Sequence, residues 1–400
     1  MLTRKNGGAL AVLLGSGWFG DDRATVLERP NCVMIFRNGR AECSDDGTGT
    51  GDPLRLLEEK TGEGYLGIGF FGYEFFHHLQ RDFRARRKDP GIFPDACFAF
   101  FEEGSLKRLP AGEFLNGADN PAPKSFSLEK TIDHERFMEM VEAVRRYILA
   151  GDVYQVNLSQ MFEIEHEPDP VEFLKTLYSA QPVPFACCMD FGAFGVISGS
   201  MELFLRRSGR TITSGPIKGT RPRLADRAED ERVIEELRSD EKERAENLMI
   251  VDLMRNDLGR ICEFGSVRVP HLFRVETYST LHQLVSYVSG RLRDDVTIGD
   301  VIRATFPPGS VTGAPKRRAL EIIEELEPHR RGPYCGAICL FLPDGDFVMS
   351  VGIRVVGVGG GKSYFWSGGG ITWGSTPEKE YAETLVKARA VAMALGGTPA

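Results

Sequence analysis

This sequence contains no Cys-x-x-Cys spacing, although it has eight cysteines in 400 residues. Zinc sites usually hold their metal through such pairs, and small secreted domains space their cysteines as a disulfide framework. Neither pattern is present, even though Cys187 and Cys188 are adjacent. We therefore expect no zinc site, no disulfide framework, and reduced thiols in a cytoplasmic protein.

The chain also has no excess of positive charge and no long apolar run. Its formal net charge is −8, so it offers no broad positive field for a nucleic acid or an anionic membrane. The apolar run at 9–14 is short even for a signal-peptide core, and a membrane span needs about 20 apolar residues. With 42% hydrophobic residues, the sequence instead predicts a globular protein with one large core or two smaller ones.

Turn-forming residues at 117–127, including two prolines, make the best candidate linker. In the more regular region that follows, the clearest element is a helix from His134 to Ala150, with Asp133 as its N-cap and Gly151 as its stop. Strands are predicted near 153–165, 185–199, 203–213, 336–342, 347–358 and 363–368, and helices near 226–255, 297–304, 315–327 and 377–394. Strands in blocks with helices between them favour an α+β fold with mainly antiparallel sheets.

Two pairs of glutamates have the i,i+3 spacing of a helix. Glu243 and Glu246 form the first pair, and Glu380 and Glu383 form the second, so each pair shares one face of its helix. Oxygen ligands without a nearby histidine or cysteine favour Mg²⁺ over zinc. The alternative is a solvated helix face, with Lys387 pairing with Glu383 at i,i+4. Spacing leaves both interpretations open.

Three glycine-containing segments have different interpretations. The segment 359–363 is typical of a hairpin turn, because no helical pattern follows it as a phosphate-binding loop requires. The segment 308–315 is followed at once by an amphipathic helix, whose first amides could bind a carboxylate. The loop at 368–370 allows a ligand to approach the backbone closely. Arg354, in a strand-like run, could clamp a carboxylate or form a structural ion pair.

Lys218 is a lone amine between Pro216-Ile217 and Gly219-Thr220, at the end of a strand-like run. A lysine in such a place is either a solvated turn charge or a nucleophile. Composition and spacing do not distinguish the two.

Five segments, in the same order along the chain, resemble the chorismate-utilising enzymes. They are Gly151–Ser159, Pro216–Thr220, Glu246–Asp257, Gly313–Lys316 and Gly368–Ile371. The resemblance covers about residues 126–395, and it implies an α+β fold in which two large antiparallel sheets form a sandwich with helices on the outside. It also implies an active site between the sheets, an N-terminal part at 1–125 packed into the same sandwich, and a chorismate-binding catalytic region at 126–400.

The resemblance further implies roles for individual residues. Glu243, Glu246, Glu380 and Glu383 are expected to bind a Mg²⁺ ion that holds the ring carboxylate of chorismate. His282 is expected near the ring as a catalytic residue. The expected substrate-binding residues are Thr220, Ser310, Tyr334, Arg354, Gly368, Gly369 and Gly370.

Two positions indicate the nucleophile. Family members that add water resemble one another in having a lysine where this chain has Gln155, whereas this chain resembles the C4-aminating members in having Lys218. The resemblance implies that Lys218 attacks C2 of chorismate as the C4 hydroxyl leaves, and that ammonia then attacks C4 and expels the lysine. Glu202 matches the general acid that protonates the hydroxyl, and we expect the apolar residues Met201 and Phe204 to raise its pKa.

The implied product is 4-amino-4-deoxychorismate, for 4-aminobenzoate and folate synthesis. The ammonia is expected from a separate glutamine amidotransferase subunit, because the sequence ends soon after the second acidic helix. Two alternatives stay open. One is amination at C2 to give anthranilate, with Lys218 as a bystander, and the other is a chorismate-binding protein without catalysis.

Overall fold

The structure is a computed structural model that describes residues 10–44, 51–80, 82–83, 92–116 and 129–395. The predicted linker at 117–127 lies outside these residues. The helices are α1 Ser16–Phe19, α2 Pro53–Gly62, α3 Phe76–Leu79, α4 Ala111–Leu115, α5 His134–Leu149, α6 Pro170–Ala180, α7 Arg227–Ser239, α8 Glu241–Gly259, α9 Ile298–Thr305, α10 Lys316–Leu326 and α11 Pro377–Ala394. In the described part of the chain, no helix is both long enough and apolar enough to cross a membrane.

The strands form two sheets, and every strand pairing in the described residues is antiparallel. Sheet A has the strand order β17 Gly313–Ala314, β9 Gln155–Ile164, β21 Lys362–Ile371, β20 Val355–Gly359, β11 Gly195–Ser200, β10 Phe185–Asp190, β1 Ala11–Leu14, β2 Arg23–Leu27 and β7 Lys107–Pro110, with β8 Glu129–Lys130 paired to β9.

Sheet B has the order β14 Ile217–Pro222, β16 Leu281–Arg291, β13 Thr211–Gly215, β12 Leu203–Ser208, β19 Phe347–Val351, β18 Ala337–Phe341, β5 Tyr65–Phe71, β6 Ala96–Glu102, β3 Cys32–Arg37 and β4 Arg40–Cys43, with β15 Arg268–Thr277 paired to β16. Strands from the first 110 residues therefore lie in both sheets. The largest apolar cluster also takes side chains from both sheets, including Leu13, Val196 and Phe70. The predicted α+β fold with two antiparallel sheets is confirmed.

Local signals predicted the helix ends well. Helix α5 begins after Asp133, whose side chain accepts the amide of Arg136, and it ends just before Gly151, which has a left-handed φ of 82°. The single helix expected over 226–255 is two helices, which was not predicted. Asp240 leaves the helical backbone there and accepts the amide of Glu243 as the N-cap of α8.

Two strand-like runs cross from one sheet to the other, and the sequence did not predict either crossing. The chain passes from β11 to β12 through Met201 and Glu202, and from β19 to β20 through 352–354. The second crossing brings Gly352 so close to the carbonyl of Pro333 that an added Cβ would lie less than 3.0 Å from it. Arg354, expected within a strand, lies instead in this crossing with a left-handed φ of 50°.

The expectation of reduced thiols was wrong for one pair. Cys32 and Cys43 form a disulfide between the neighbouring strands β3 and β4, where Met34 is paired with Cys43. The hairpin brings together two cysteines that are 11 positions apart, which spacing alone did not indicate. The other six cysteines carry reduced thiols, as expected, and all six are buried.

Candidate active site

Lys218 lies on β14 beside a β-bulge. Lys218 is paired with Leu284 and Thr220 with Gln283, so Gly219 is the extra residue of the bulge, with a φ of 74°. A Cβ on Gly219 would lie 2.8 Å from Leu237 and 3.1 Å from Glu243. The glycine therefore allows β14 to pack closely against α7 and α8, and α8 carries the first acidic pair.

The amine of Lys218 meets residues of sheet A. Gly370 of β21 has no side chain, and two other side chains occupy the space beside it. A Cβ at this position would lie 3.4 Å from Lys218 Nζ and less than 3.0 Å from the side-chain nitrogen Nε2 of Gln155 on β9. Gln155 is fully buried, and neither of its side-chain polar atoms has a hydrogen-bond partner in the described part of the protein. Lys218 Nζ is also 3.8 Å from a carboxylate oxygen of Glu246. Lys218, Gln155 and Gly370 therefore meet at one point between the two sheets.

Glu202 lies in the crossing between β11 and β12, close to Lys218. Burial raises the pKa of Glu202 to about 7, while a hydrogen bond from Ser310 and the positive charge of Lys218 act in the opposite direction. Met201 and Phe204 are buried beside it. The expected rise is confirmed, and Glu202 can hold a proton near neutral pH.

The two acidic pairs act on each other electrostatically. Burial raises the pKa of Glu246 on α8, and the charges of Glu243 and Glu380 add to the rise, while Lys218 and Lys242 oppose it. Burial likewise raises the pKa of Glu380 on α11. Oxygen Oε1 of Glu246 is buried and has no hydrogen-bond partner among the described residues. The pairs therefore face a common region between α8 and α11.

The predicted ion pair of the second acidic helix is also present. Lys387 Nζ lies 2.7 Å from Glu383 Oε1 and donates a hydrogen bond to the carbonyl of Gly368 at 2.9 Å. Burial favours a raised pKa for Glu383, but the charge and hydrogen bond of Lys387 outweigh it and hold the pKa below its usual value. Within the described ranges, no three histidine, cysteine or acidic side chains are gathered closely enough to hold a metal ion as they stand.

The three glycines at 368–370 were expected in a loop, but they belong to strand β21. Their partners on β9 are Ser159, Leu158 and Asn157. A Cβ on Gly369 would lie 3.1 Å from Glu380 and 3.7 Å from Glu383. Because Gly369 has no side chain, the acidic helix α11 can approach the strand at this residue. Because Gly370 has none, Gln155 and Lys218 can approach at the next residue.

Arg354 is largely buried in the crossing between β19 and β20, and burial lowers its pKa. Its guanidinium donates to the side-chain carbonyl of Gln181. Among the described residues it has no carboxylate partner, which favours the carboxylate clamp over the structural ion pair.

The remaining predicted site residues are His282, Tyr334 and Thr220. His282 is fully buried, with Nε2 2.8 Å from Asp230 and Nδ1 2.9 Å from Thr277, so both ring nitrogens already have partners. Tyr334 is buried with its ring stacked on Trp366. Thr220 is exposed beside the bulge. The catalytic assignment of His282 stays a prediction, and its contacts are those of a packed histidine.

Sequence reasoning used Gln155 only to distinguish family members and did not include it among the site residues. Its burial beside Lys218 depends on the pairing of β9 with β21, which joins positions about 200 residues apart. The only sequence signal was its place in the segment Gly151–Ser159.

The chain is similar to known proteins in sequence and in structure. The family model described as chorismate binding enzyme matches residues 115–393. Aminodeoxychorismate synthase component 1 of Escherichia coli K12 is 41% identical over 94% of this chain and 91% of its own length. Anthranilate synthase component 1 1 of Haloarcula marismortui is 43% identical over 67% of this chain, and the match spans about half of that relative, 55%. The crystal structure of anthranilate synthase component I from Streptococcus pneumoniae TIGR4 superposes with a TM-score of 0.80 at 30% identity, over 92% of each chain.

Proposed function

Because the chain belongs to the family of chorismate-binding enzymes, we propose that it aminates chorismate at C4 with ammonia, giving 4-amino-4-deoxychorismate. The observation that carries this proposal is the position of Lys218, whose amine lies between the two sheets and whose charge acts on the buried Glu202, a glutamate with a pKa of about 7. Relatives called aminodeoxychorismate synthase component 1 match this chain along almost its whole length, which supports the same choice.

In the proposed reaction, the neutral amine of Lys218 forms a bond to C2 of the ring. The ring double bond shifts, the bond between C4 and its hydroxyl breaks, and Glu202 donates the proton with which the hydroxyl leaves as water. Ammonia then forms a bond to C4, the double bond shifts back, and the bond between C2 and Lys218 breaks. The lysine leaves as the neutral amine, and a proton from the new C4 ammonium returns to Glu202. The net reaction therefore replaces the C4 hydroxyl with an amino group and releases one water.

The donor set fits the Mg²⁺ ion that this chemistry calls for. Glu243, Glu246, Glu380 and Glu383 would hold it. A cation would bind Glu246 Oε1, which accepts no hydrogen bond and has only the ammonium of Lys242 at 3.8 Å, and it would relieve the repulsion that helps to raise the pKa of Glu246 and Glu380. When bound, Mg²⁺ would neutralise the ring carboxylate of chorismate. Arg354 would bind a further substrate carboxylate through its guanidinium.

The ammonia would come from a glutamine amidotransferase subunit, and the product would serve 4-aminobenzoate and folate synthesis in the cytoplasm.

Amination at C2 is the second candidate function, because anthranilate synthase components are also similar to this chain in sequence and in structure. In that reaction Lys218 would be a bystander.

Product analysis distinguishes these functions. The protein is incubated with chorismate, an ammonium salt and MgCl₂, and the products are separated and identified by mass spectrometry. We expect 4-amino-4-deoxychorismate, no fluorescent anthranilate, and no product when EDTA is in excess over Mg²⁺. Anthranilate as the main product would establish C2 amination instead. Binding of chorismate without turnover under saturating ammonia would indicate a non-catalytic protein.

Gly370→Ala is expected to lower the amination rate on the order of 100-fold, because its Cβ would displace Gln155 and crowd Lys218 Nζ. Gly374→Ala is the matched control, since a Cβ at Gly374 would meet no atom within 4 Å. Steady-state kinetics and the melting temperature of both variants check the prediction. Equal rates for the two variants would show that the close approach at Gly370 is not needed for the reaction.

A further inference from the structure

Arg331, in the segment after α10, is a fully buried cation that sequence reasoning did not single out. Its Nε and Nη2 donate to the carboxylate of Glu327 at 3.0 and 2.7 Å. Its guanidinium carbon lies 4.5 Å from the centroid of the Tyr73 ring. The side chain is therefore paired and packed on several sides, as a buried charge requires.

The same guanidinium also binds two backbone carbonyls that border the candidate site. Nη1 donates to Val311 at 3.0 Å, and Nη2 donates to Asn157 at 2.6 Å. Val311 ends the short 3₁₀ turn Gly309–Val311, whose central residue Ser310 bonds Glu202. Asn157 is two residues from Gln155 on β9. Arg331 thus fastens the turn that carries Ser310 to the strand that carries Gln155.

The N-terminal part of the chain holds Arg331 in place. Glu74 accepts the backbone amides of Arg331 at 2.7 Å and of Gly332 at 2.9 Å. Asp95 pairs with the neighbouring Arg330. Glu74 and Asp95 lie next to strands β5 and β6 of sheet B, so the first 100 residues position the backbone of the segment that carries Arg331.

We propose that Arg331 is a positioning residue for the amination reaction, which holds the Ser310 hydroxyl against Glu202. The inference rests on the proposed function, because Glu202 is the acid of that reaction. A lysine cannot replace the planar fork that reaches Glu327 and both carbonyls at once. Without those bonds the turn at 309–311 is joined to β9 only through the residues that follow it, by the bond from the Asn157 amide to Thr312 and by the pairing of β17 with β9. The Ser310 hydroxyl is then held less closely against Glu202.

Loss of the Ser310 hydroxyl should change the pKa of Glu202 in a predictable direction. Lys218 is the charged group that acts on Glu202, while Ser310 and the amide of Ile217 are its uncharged donors, and all three lower its pKa against the effect of burial. Loss of the Ser310 hydrogen bond therefore raises the pKa of Glu202 further. Because the acid acts in its protonated form, the decline of kcat/KM at high pH moves upward.

The test compares Arg331→Lys, Ser310→Ala and the double variant, using hydrogen–deuterium exchange without substrate and pH profiles of kcat/KM for chorismate. In Arg331→Lys, which keeps the positive charge, we expect faster exchange at 309–312 and a kcat reduced on the order of 10-fold to 100-fold. Arg331→Lys and Ser310→Ala should each move the decline at high pH upward by about one pH unit. The double variant should move it no further, because both changes act through the same hydroxyl.

Arg317→Lys is the matched control, since it changes an exposed arginine of α10 that pairs with Asp82 and Glu321, and its pH profile should match that of the parent protein. If Arg331→Lys does not fold, Glu74→Gln is used instead, because it weakens the hydrogen bonds from the backbone amides of Arg331 and Gly332. It should give the same faster exchange at 309–312 and the same upward shift of the pH profile. Unchanged exchange at 309–312, an unmoved pH profile, or additive shifts in the double variant would each overturn the proposal. Absence of chorismate turnover in the parent protein would instead contradict the proposed function, and the exchange data would still decide whether Arg331 fastens the turn.

Discussion

Lys218→Ala is expected to abolish formation of 4-amino-4-deoxychorismate, with a rate reduced at least on the order of 1,000-fold. The amine of Lys218 is placed between the two sheets, over Gly370 and beside Glu202. Alanine has no amine to form the bond to C2, which in the proposed reaction must form before ammonia attacks C4. Because the side chain is only 13% exposed and lies 3.8 Å from Glu246, its truncation leaves a cavity, so the melting temperature of the variant is measured to show that it is folded.

Two measurements check this prediction. The rate of C4 product formation is compared for the parent protein, Lys218→Ala, and Lys107→Ala, a control lysine in a surface ion pair with Glu28. Mass spectrometry of protein incubated with chorismate and Mg²⁺, but without ammonia, should find a chorismate-derived adduct on the peptide with Lys218. An undiminished rate of C4 product in Lys218→Ala would refute the covalent role. A bare lysine, under conditions where turnover is proven once ammonia is added, would refute it equally.

Glu202→Gln is expected to lower the rate by roughly 10²-fold to 10⁴-fold, because glutamine cannot donate a proton to the leaving hydroxyl. The pKa of Glu202 is about 7, so the side chain is protonated below this pH and ionised above it. In the parent protein, kcat/KM for chorismate should therefore fall as the pH rises through about 7. The residual activity of Glu202→Gln should not show this fall.

The pH profiles of the parent protein, Glu202→Gln and Glu172→Gln test this assignment. Glu172 is a half-exposed glutamate on α6, paired with Lys175, and its replacement should leave the profile unchanged. Persistence of the same fall in Glu202→Gln would assign the titration to another group. A rate close to that of the parent protein would remove Glu202 from the mechanism altogether.

Local features were the best predicted from sequence. Asp133 determines where α5 begins and Gly151 where it ends, because N-capping side chains and left-handed glycines act over a few residues. The segment 359–363 is a hairpin turn between β20 and β21, as predicted, with Gly360 and Gly361 at positive φ. The i,i+3 pairs of glutamates lie on α8 and α11, because helical periodicity is also local.

Strand breaks were predicted less well. The runs 347–358 and 203–213 each hold two strands, because Arg354 and Gly209 adopt left-handed backbone conformations. The close contact of Gly352 with Pro333 that accompanies the first break involves a segment about 20 residues away. Apolar periodicity on either side of such a break continues without interruption, so it gives no signal.

For the residues of the proposed chemistry, too, the sequence predicted the local features and the tertiary structure decided the rest. Sequence alone was sufficient for the class of fold and for placing the two acidic pairs on helices, and it selected Lys218 and Glu202 as candidates, since motif and helical spacing are properties of neighbouring residues. The meeting of Lys218 with Gln155, the burial that raises the pKa of Glu202, and the reach of Arg331 to Ser310's turn came only from the folded chain. They depend on strand pairing and dehydration between segments far apart in sequence, where distance and dielectric environment are set by packing and not by residue order.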